Sequence, residues 1–157
     1  MYKIQEATSE QVPEIVKLWT KLMNIHKEID AHYFSNTDNS KNDYKLEIES
    51  FINDLSDNVY VALIDDKVIG YTTVQLVFFP NNHYNKNSYC TIGDIMIEED
   101  YRHLGIGKDF VEQAKSWSQS YGIRTIQVHV FSKNKKALNF FEQQGFEDRF
   151  ALLELRI

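Results

Sequence analysis

At 157 residues and 18.5 kDa, the chain is long enough to bury roughly 68–70% of the surface its unfolded form exposes, so one core without staples is expected. A hydrophobic fraction of 43% and a charged fraction of 25%, with only 2 prolines and 6 glycines, exclude the disordered, collagen-like and low-complexity classes. The net charge of −6 and a pI near 5.3 argue against bulk nucleic-acid binding and leave cationic small molecules open as partners.

The first residues show no basic stretch followed by an apolar one, so no signal peptide is expected, and no apolar run approaches the roughly 18 residues of a membrane span. Residues 2–5 read as a first strand. Thr8-Ser9-Glu10-Gln11 is helix-start chemistry, with Pro13 in the first turn, where its missing N–H costs nothing. Apolar residues then recur at Val12, Ile15, Val16, Trp19, Leu22, Met23 and Ile29, a helical stripe that also carries His26. Residues 31–42 are polar and loop-like; 44–55 carry a second helical pattern through Leu46, Ile48, Phe51, Ile52 and Leu55.

Residues 59–64 and 68–79 read as two strands of a hairpin around Asp65-Asp66-Lys67. A polar loop, 80–88, leads to a fourth strand, 89–97. That strand holds Cys90, the single cysteine, which excludes an internal disulfide framework and a CxxC metal site and fits a reducing, cytoplasmic compartment. No metal is expected. A third helix runs from Gly105 to about Tyr121 and is closed by Gly122. Residues 124–131 form a fifth strand, 134–144 a fourth helix closed by Gly145, and 146–157 a terminal strand or strand pair. Helices alternating with strands in the second half, and a hairpin in the first, predict a mixed α/β sheet in one domain spanning 1–157.

The sharpest local feature is the stretch from Ile95 to Lys108. A strand enters a turn whose two glycines, Gly105 and Gly107, are spaced by one residue, and a helix opens directly behind it. Glycines let the backbone approach a bulky anion, and a helix start presents unpaired N–H groups with about +0.5 of dipole charge. Arg102, Lys108 and His103 add cationic reach, so a phosphate or pyrophosphate is the expected ligand. A Walker A loop is excluded by Arg102 and Asp109, and a dinucleotide fingerprint by Phe110 where glycine is needed. A second segment, Asn134 to Phe146, has the form NxxAxxFFxxxGF just after a strand.

Together the two segments resemble the GNAT superfamily of acetyl-CoA-dependent N-acetyltransferases. Arg102 to Gly107 matches the family's [QR]xxGxG/A signature and Asn134 to Phe146 its NxxAxxFYxxxGF segment, in the expected order of elements. The resemblance implies a mostly antiparallel central sheet of six to seven strands, flanked by four helices and splayed at the cofactor site. It implies that the turn from Arg102 through His103, Leu104, Gly105, Ile106 and Gly107 to Lys108 holds the pyrophosphate of acetyl-CoA. The strand residues Ile95, Met96 and Ile97 would pair with pantetheine as an added strand does. Asn134 would sit by the pantetheine or thioester arm, and Ala137, Phe140 and Phe141 would pack on coenzyme A. Lys133, Lys135 and Lys136 would reach the nucleotide phosphates or simply form a solvated face.

The implied reaction is direct attack of a neutral amine on the acetyl thioester. Phe141 departs from the pattern: many relatives carry a tyrosine there, whose hydroxyl can protonate the leaving thiolate, so another donor or water would substitute, Ser132 being one candidate by proximity in sequence. Asp94 is the first candidate base, on the pantetheine strand where some relatives place a carboxylate. Strand alternation puts it on one face with Met96, and Ile95 and Ile97 on the other. His26 is the second candidate base. Asp30, Tyr33, Phe34 and Tyr84 are expected acceptor contacts, with His83 beside Tyr84, while His129 alternates to the opposite sheet face. The expected acceptor is a small-molecule or peptide amine, the acidic balance favouring a cation such as a polyamine or aminoglycoside. The alternative is a coenzyme A-binding sensor without turnover. Exposed strand edges and the tail after Gly145 make a homodimer an expectation too.

Overall fold

A computed structural model describes residues 1–79 and 88–157. Strand β1, Lys3–Glu6, is followed by a 3-10 turn, Ser9–Gln11, and helix α1, Val12–Ile29. Helix α2 spans Asp38–Asn53; β2, Asp57–Ile64, and β3, Lys67–Phe78, form the hairpin; β4 is Ser88–Ile97. After a second 3-10 turn, Glu99–Tyr101, come α3, Ile106–Ser120, β5, Ile126–Val128, and α4, Lys135–Gln143. The sheet order is β1-β2-β3-β4-β5, antiparallel throughout except for the parallel pair β4–β5.

Two expectations need correction. The described residues form five strands where six to seven were expected, because 147–157 form no strand. A strand exists only against a partner, and that segment has none among the described residues. Helix α2 also begins at Asp38, inside the stretch read as loop. Thr37 caps it: the Thr37 hydroxyl accepts from the Ser40 N–H at 3.2 Å and the Ser40 hydroxyl accepts from the Thr37 N–H at 2.8 Å.

The sheet separates two apolar layers. On one face Ile15, Trp19 and Leu22 of α1 and Tyr44 and Ile48 of α2 pack on Val59, Val61, Tyr71 and Met96. On the other, Phe110, Val111 and Ala114 of α3 and Phe141 of α4 pack on Ile69, Val74, Cys90 and Ile92. At ~1.5–3 kcal/mol per fully buried large apolar side chain, these layers dominate the stability.

Candidate active site

The site begins with a bulge. Thr72 stands opposite Ile95 and Val74 opposite Ile92, so two β4 residues, Gly93 and Asp94, face the single Thr73. Gly93 is required there, since a Cβ at that position would lie 2.6 Å from Thr73 Oγ1. That hydroxyl instead accepts from the Asp94 N–H at 2.9 Å, while the Thr72 hydroxyl donates to the Asp94 carbonyl at 2.8 Å. The extra residue changes which face the strand presents. Cys90 and Ile92 face α3 ahead of the bulge, and Ile95 and Ile97 do so beyond it. Asp94 and Met96 are thereby delivered to the α1/α2 side, in the alternation expected.

At the same point β4 and β5 part. They pair only from Cys90 to Ile92 with Ile126 to Val128, so no strand of the described residues pairs with the β5-facing edge of 93–97. Gly93 is exposed in mid-sheet as a result.

Asp94 meets two tyrosines. The Tyr44 hydroxyl of α2 donates to Asp94 Oδ2 at 2.6 Å and lies 3.0 Å from the Tyr71 hydroxyl of β3, which is also hydrogen-bonded to Asp94. Trp19 of α1 stacks on Tyr44 with centroids 4.6 Å apart and planes 13° off parallel. Burial pushes the Asp94 carboxyl above the ordinary carboxylate range, and the hydrogen bonds from Tyr44 and Tyr71 hold it back. Burial and the neighbouring carboxylate keep both tyrosines well above their usual values, hence neutral donors. Glu47, an exposed residue of α2, is raised by partial desolvation and by the charges of Asp94 and then Asp57. This arrangement makes Asp94 a stronger proton acceptor than an exposed aspartate. Tyr44 and Tyr71 did not figure among the expected site residues. Their one signal is a hydroxyl on an apolar helical stripe and on an apolar strand.

A second group gathers at the end of α1. The His26 ring packs against Phe34, centroids 4.6 Å apart and planes tilted by 34°, and Phe34 and Tyr33 pack on Phe131, beyond β5, at 5.2 and 5.5 Å. Asp30 Oδ2 lies 3.5 Å from Lys133 Nζ, tying the same two segments together. Burial alone would raise Asp30, but the His32 amide, the Lys133 charge and the Tyr33 amide outweigh it and lower its pKa. Burial lowers the pKa of His26, so its imidazole is neutral at pH 7, and its buried Nδ1 has no partner among the described residues. Three expected acceptor contacts, Asp30, Tyr33 and Phe34, thus come together with His26 and, beyond the expectation, with Phe131 and Lys133. Tyr84 and His83 lie outside the described residues.

The turn behind β4 is tied down at both ends. Arg102 Nε donates to the Ile97 carbonyl at 3.1 Å, and Lys21 of α1 grips Glu98 at 2.6 Å. His103 and Gly105 both take left-handed φ, 72° and 88°. A Cβ at Gly105 would meet the Tyr2 hydroxyl only at an ordinary 3.8 Å, so its role is conformational. Gly107 has a different role: a Cβ there would press on the Phe140 ring at 3.1 Å, so its absence lets α3 and α4 meet. The first intrahelical bond shown runs from the Asp109 N–H to the Gly105 carbonyl at 3.0 Å, leaving the first-turn N–H groups of Ile106, Gly107 and Lys108 without an intrahelical acceptor. Asp109 accepts from the Tyr2 hydroxyl; that bond, burial and the Asp109 charge push Tyr2 up to about 12.

On α4, Asn134 caps the helix, its Oδ1 accepting from the Ala137 N–H at 3.2 Å. Phe141 is buried and touches the rings of Phe140 and Phe146 at 5.0 and 5.2 Å. Ala137 and Phe140 pack partly buried beside it. No group of His, Cys, Asp or Glu among the described residues could hold a metal ion, and no described helix is long and apolar enough to cross a membrane.

Residues 19–146 match the model of the Acetyltransferase (GNAT) family. An uncharacterized N-acetyltransferase of Methanocaldococcus jannaschii is 22% identical over 148 residues, which cover 94% of this chain and 62% of that protein. The chain thus spans less than two thirds of that relative's length. A mutant protein of Bacillus halodurans has the same fold, with a TM-score of 0.90 at 21% identity over 99% of both chains. So does a predicted acetyltransferase of Clostridium acetobutylicum solved with acetyl-CoA, with a TM-score of 0.75 at 16% identity over 99% of this chain and 96% of that one.

Proposed function

The chain belongs to the GNAT family of acetyltransferases, and from that membership we propose that residues 1–157 act as one N-acetyltransferase domain. It moves an acetyl group from acetyl-CoA to a primary amine of a small molecule or peptide by direct attack in a ternary complex. One observation carries the reading. The gap that opens between β4 and β5 at Gly93 has Asp94 at its inner end, and β4 leads on to the three free N–H groups of α3.

The residues present fit acetyl-CoA as the co-substrate. The first-turn N–H groups of Ile106, Gly107 and Lys108, with the exposed Lys108 ammonium, supply donors and positive potential for a pyrophosphate. Arg102 acts from the other side of the turn, holding the end of β4, whose free edge would pair with the pantetheine amides. When bound, acetyl-CoA supplies an activated acyl carbon and a thiolate leaving group.

Most of the acceleration comes from holding amine and acyl carbon together, worth about 7–11 kcal/mol at best. The protein's further task is proton removal, because an alkylammonium with a pKa of about 10 is no nucleophile at pH 7. Asp94 takes that proton, and its raised pKa brings it closer to the range in which a general base works best at neutral pH. Asp30, Tyr33 and Phe34 contact the acceptor, and His26, neutral and half-buried behind Phe34, supports that aromatic group. Phe141 cannot protonate the departing thiolate, and its burial in the α3/α4 layer leaves water or the exposed Ser132 for that step.

The test is thiol release from acetyl-CoA against polyamines, aminoglycosides, amino acids and short peptides at pH 7 and 8.5. Release with one acceptor class is expected, and Asp94→Asn should cut it by about 10²–10⁴ without changing acetyl-CoA affinity. Silence across the panel, with acetyl-CoA still raising the melting temperature, supports a coenzyme A sensor, the second reading that Phe141 favours. Silence without that rise overturns both.

A further inference from the structure

Acidic side chains stand close to the N–H groups that α3 leaves free for an anion, and they are answered in different ways. Glu98, ahead of the turn, is gripped by Lys21, and Glu112, further along the helix, pairs with Lys115 at 2.7 Å. Asp109 is answered by a neutral group instead. The Tyr2 hydroxyl, next to β1 at the edge of the sheet, donates to Asp109 Oδ2 across 107 residues of sequence. The same hydroxyl oxygen lies 3.5 Å from the Leu104 carbonyl, so one side chain reaches both the turn and the helix it opens. The bond to Asp109 pushes Tyr2 up to about 12, and the hydroxyl remains a donor at neutral pH.

The place of Asp109 explains why it needs such a partner. It lies on the first turn of α3, its N–H bonded to the Gly105 carbonyl at 3.0 Å. Helical side chains lean toward the N-terminus, so an unheld carboxylate there would swing back over the free N–H groups of Ile106, Gly107 and Lys108. A carboxylate is drawn to the same positive potential as a phosphate, and the two repel each other at short range. We infer that Tyr2 is a positioning residue for acetyl-CoA: it holds the Asp109 carboxylate on the β1 side and so keeps the pyrophosphate's donors clear of a competing anion. This rests on the acetyl-CoA reading of the turn. It adds that affinity for the cofactor is tuned from the sheet edge, by a hydroxyl that acts through Asp109. A tyrosine that only braced the turn would be indifferent to the charge of Asp109, and that difference separates the two roles.

The test is the dissociation constant of acetyl-CoA, by titration calorimetry, for the full chain and for Tyr2→Phe, Asp109→Asn and the two combined. Tyr2→Phe should weaken binding about 2–10-fold, the worth of one net hydrogen bond. Asp109→Asn should lose nothing, and adding it to Tyr2→Phe should restore the unsubstituted affinity, so the two changes are strongly non-additive. Unaltered affinity in Tyr2→Phe overturns the inference. So does a weakened Tyr2→Phe that Asp109→Asn fails to restore, which makes Tyr2 a brace, or a loss of binding in Asp109→Asn alone. In each of those cases the unsubstituted chain still binds acetyl-CoA and the reading of the turn stands. An unsubstituted chain that does not bind acetyl-CoA overturns that reading, and the inference with it.

Discussion

Asp94 owes its chemistry to opposing effects that separate variants can isolate. Burial raises its pKa, and the hydroxyls of Tyr44 and Tyr71 favour its ionised form. Only the ionised form accepts a proton, so kcat/KM rises with pH through the Asp94 pKa. Tyr44→Phe keeps the ring against Trp19 and removes one hydrogen bond to the charge. Such bonds are worth about 1.5–3 kcal/mol, and about 1.4 kcal/mol is one pH unit. The acidic limb is therefore expected to move up by about one to two units, measured as a pH–rate profile, while any limb set by the acceptor amine stays in place. An unmoved limb would remove Asp94 as the titrating base. The sequence marked Asp94 but not its tyrosines. Tyr44 lies 50 residues from Asp94 and 27 from Tyr71, and local patterning carries no record of contacts at that range.

Among the elements, the phosphate-type turn was the most legible, because spacing and helix-start chemistry are local. What spacing hid was that its glycines do different work. Gly105 needs its left-handed φ, so Gly105→Ala should cost about 1–2 kcal/mol by strain in the turn. Gly107→Ala must displace the Phe140 ring and should cost about 1–3 kcal/mol by overpacking. Shrinking the ring tells them apart: in chemical denaturation Phe140→Leu should relieve Gly107→Ala and leave Gly105→Ala unrelieved. The helices and the hairpin followed their apolar periods, whereas the start of α2 was masked by a run of polar residues whose Thr37 cap was read as loop. The terminal strand was misjudged for a different reason. Residues 150–157 have strand-like alternation, but a strand also needs a partner, and the sequence of one chain cannot say where that partner is.

For the molecule as a whole, charge bears on the acceptor. The chain carries −6, and Glu47 feels the charges of both Asp94 and Asp57. A polycationic acceptor is drawn by that field, so its kcat/KM should fall steeply as salt rises and the Debye length shrinks from about 10 Å at 0.1 M to about 3 Å at 1 M. A monoamine of similar reactivity should lose much less; equal salt dependence of the two would show that the field plays no part in recognition. Composition gave the net charge, while the gathering of Glu47 with Asp94 and Asp57 became visible only in the folded sheet. The bulge at Gly93 has a similar reach beyond its size. It works on the sheet as a frameshift works on a message, resetting the alternation where Gly93 and Asp94 share the single Thr73. Were β4 to run on from Ile92 with all its residues and no bulge, Asp94 would turn into the α3 layer and Ile95 and Ile97 toward the tyrosines, exchanging the site for the core.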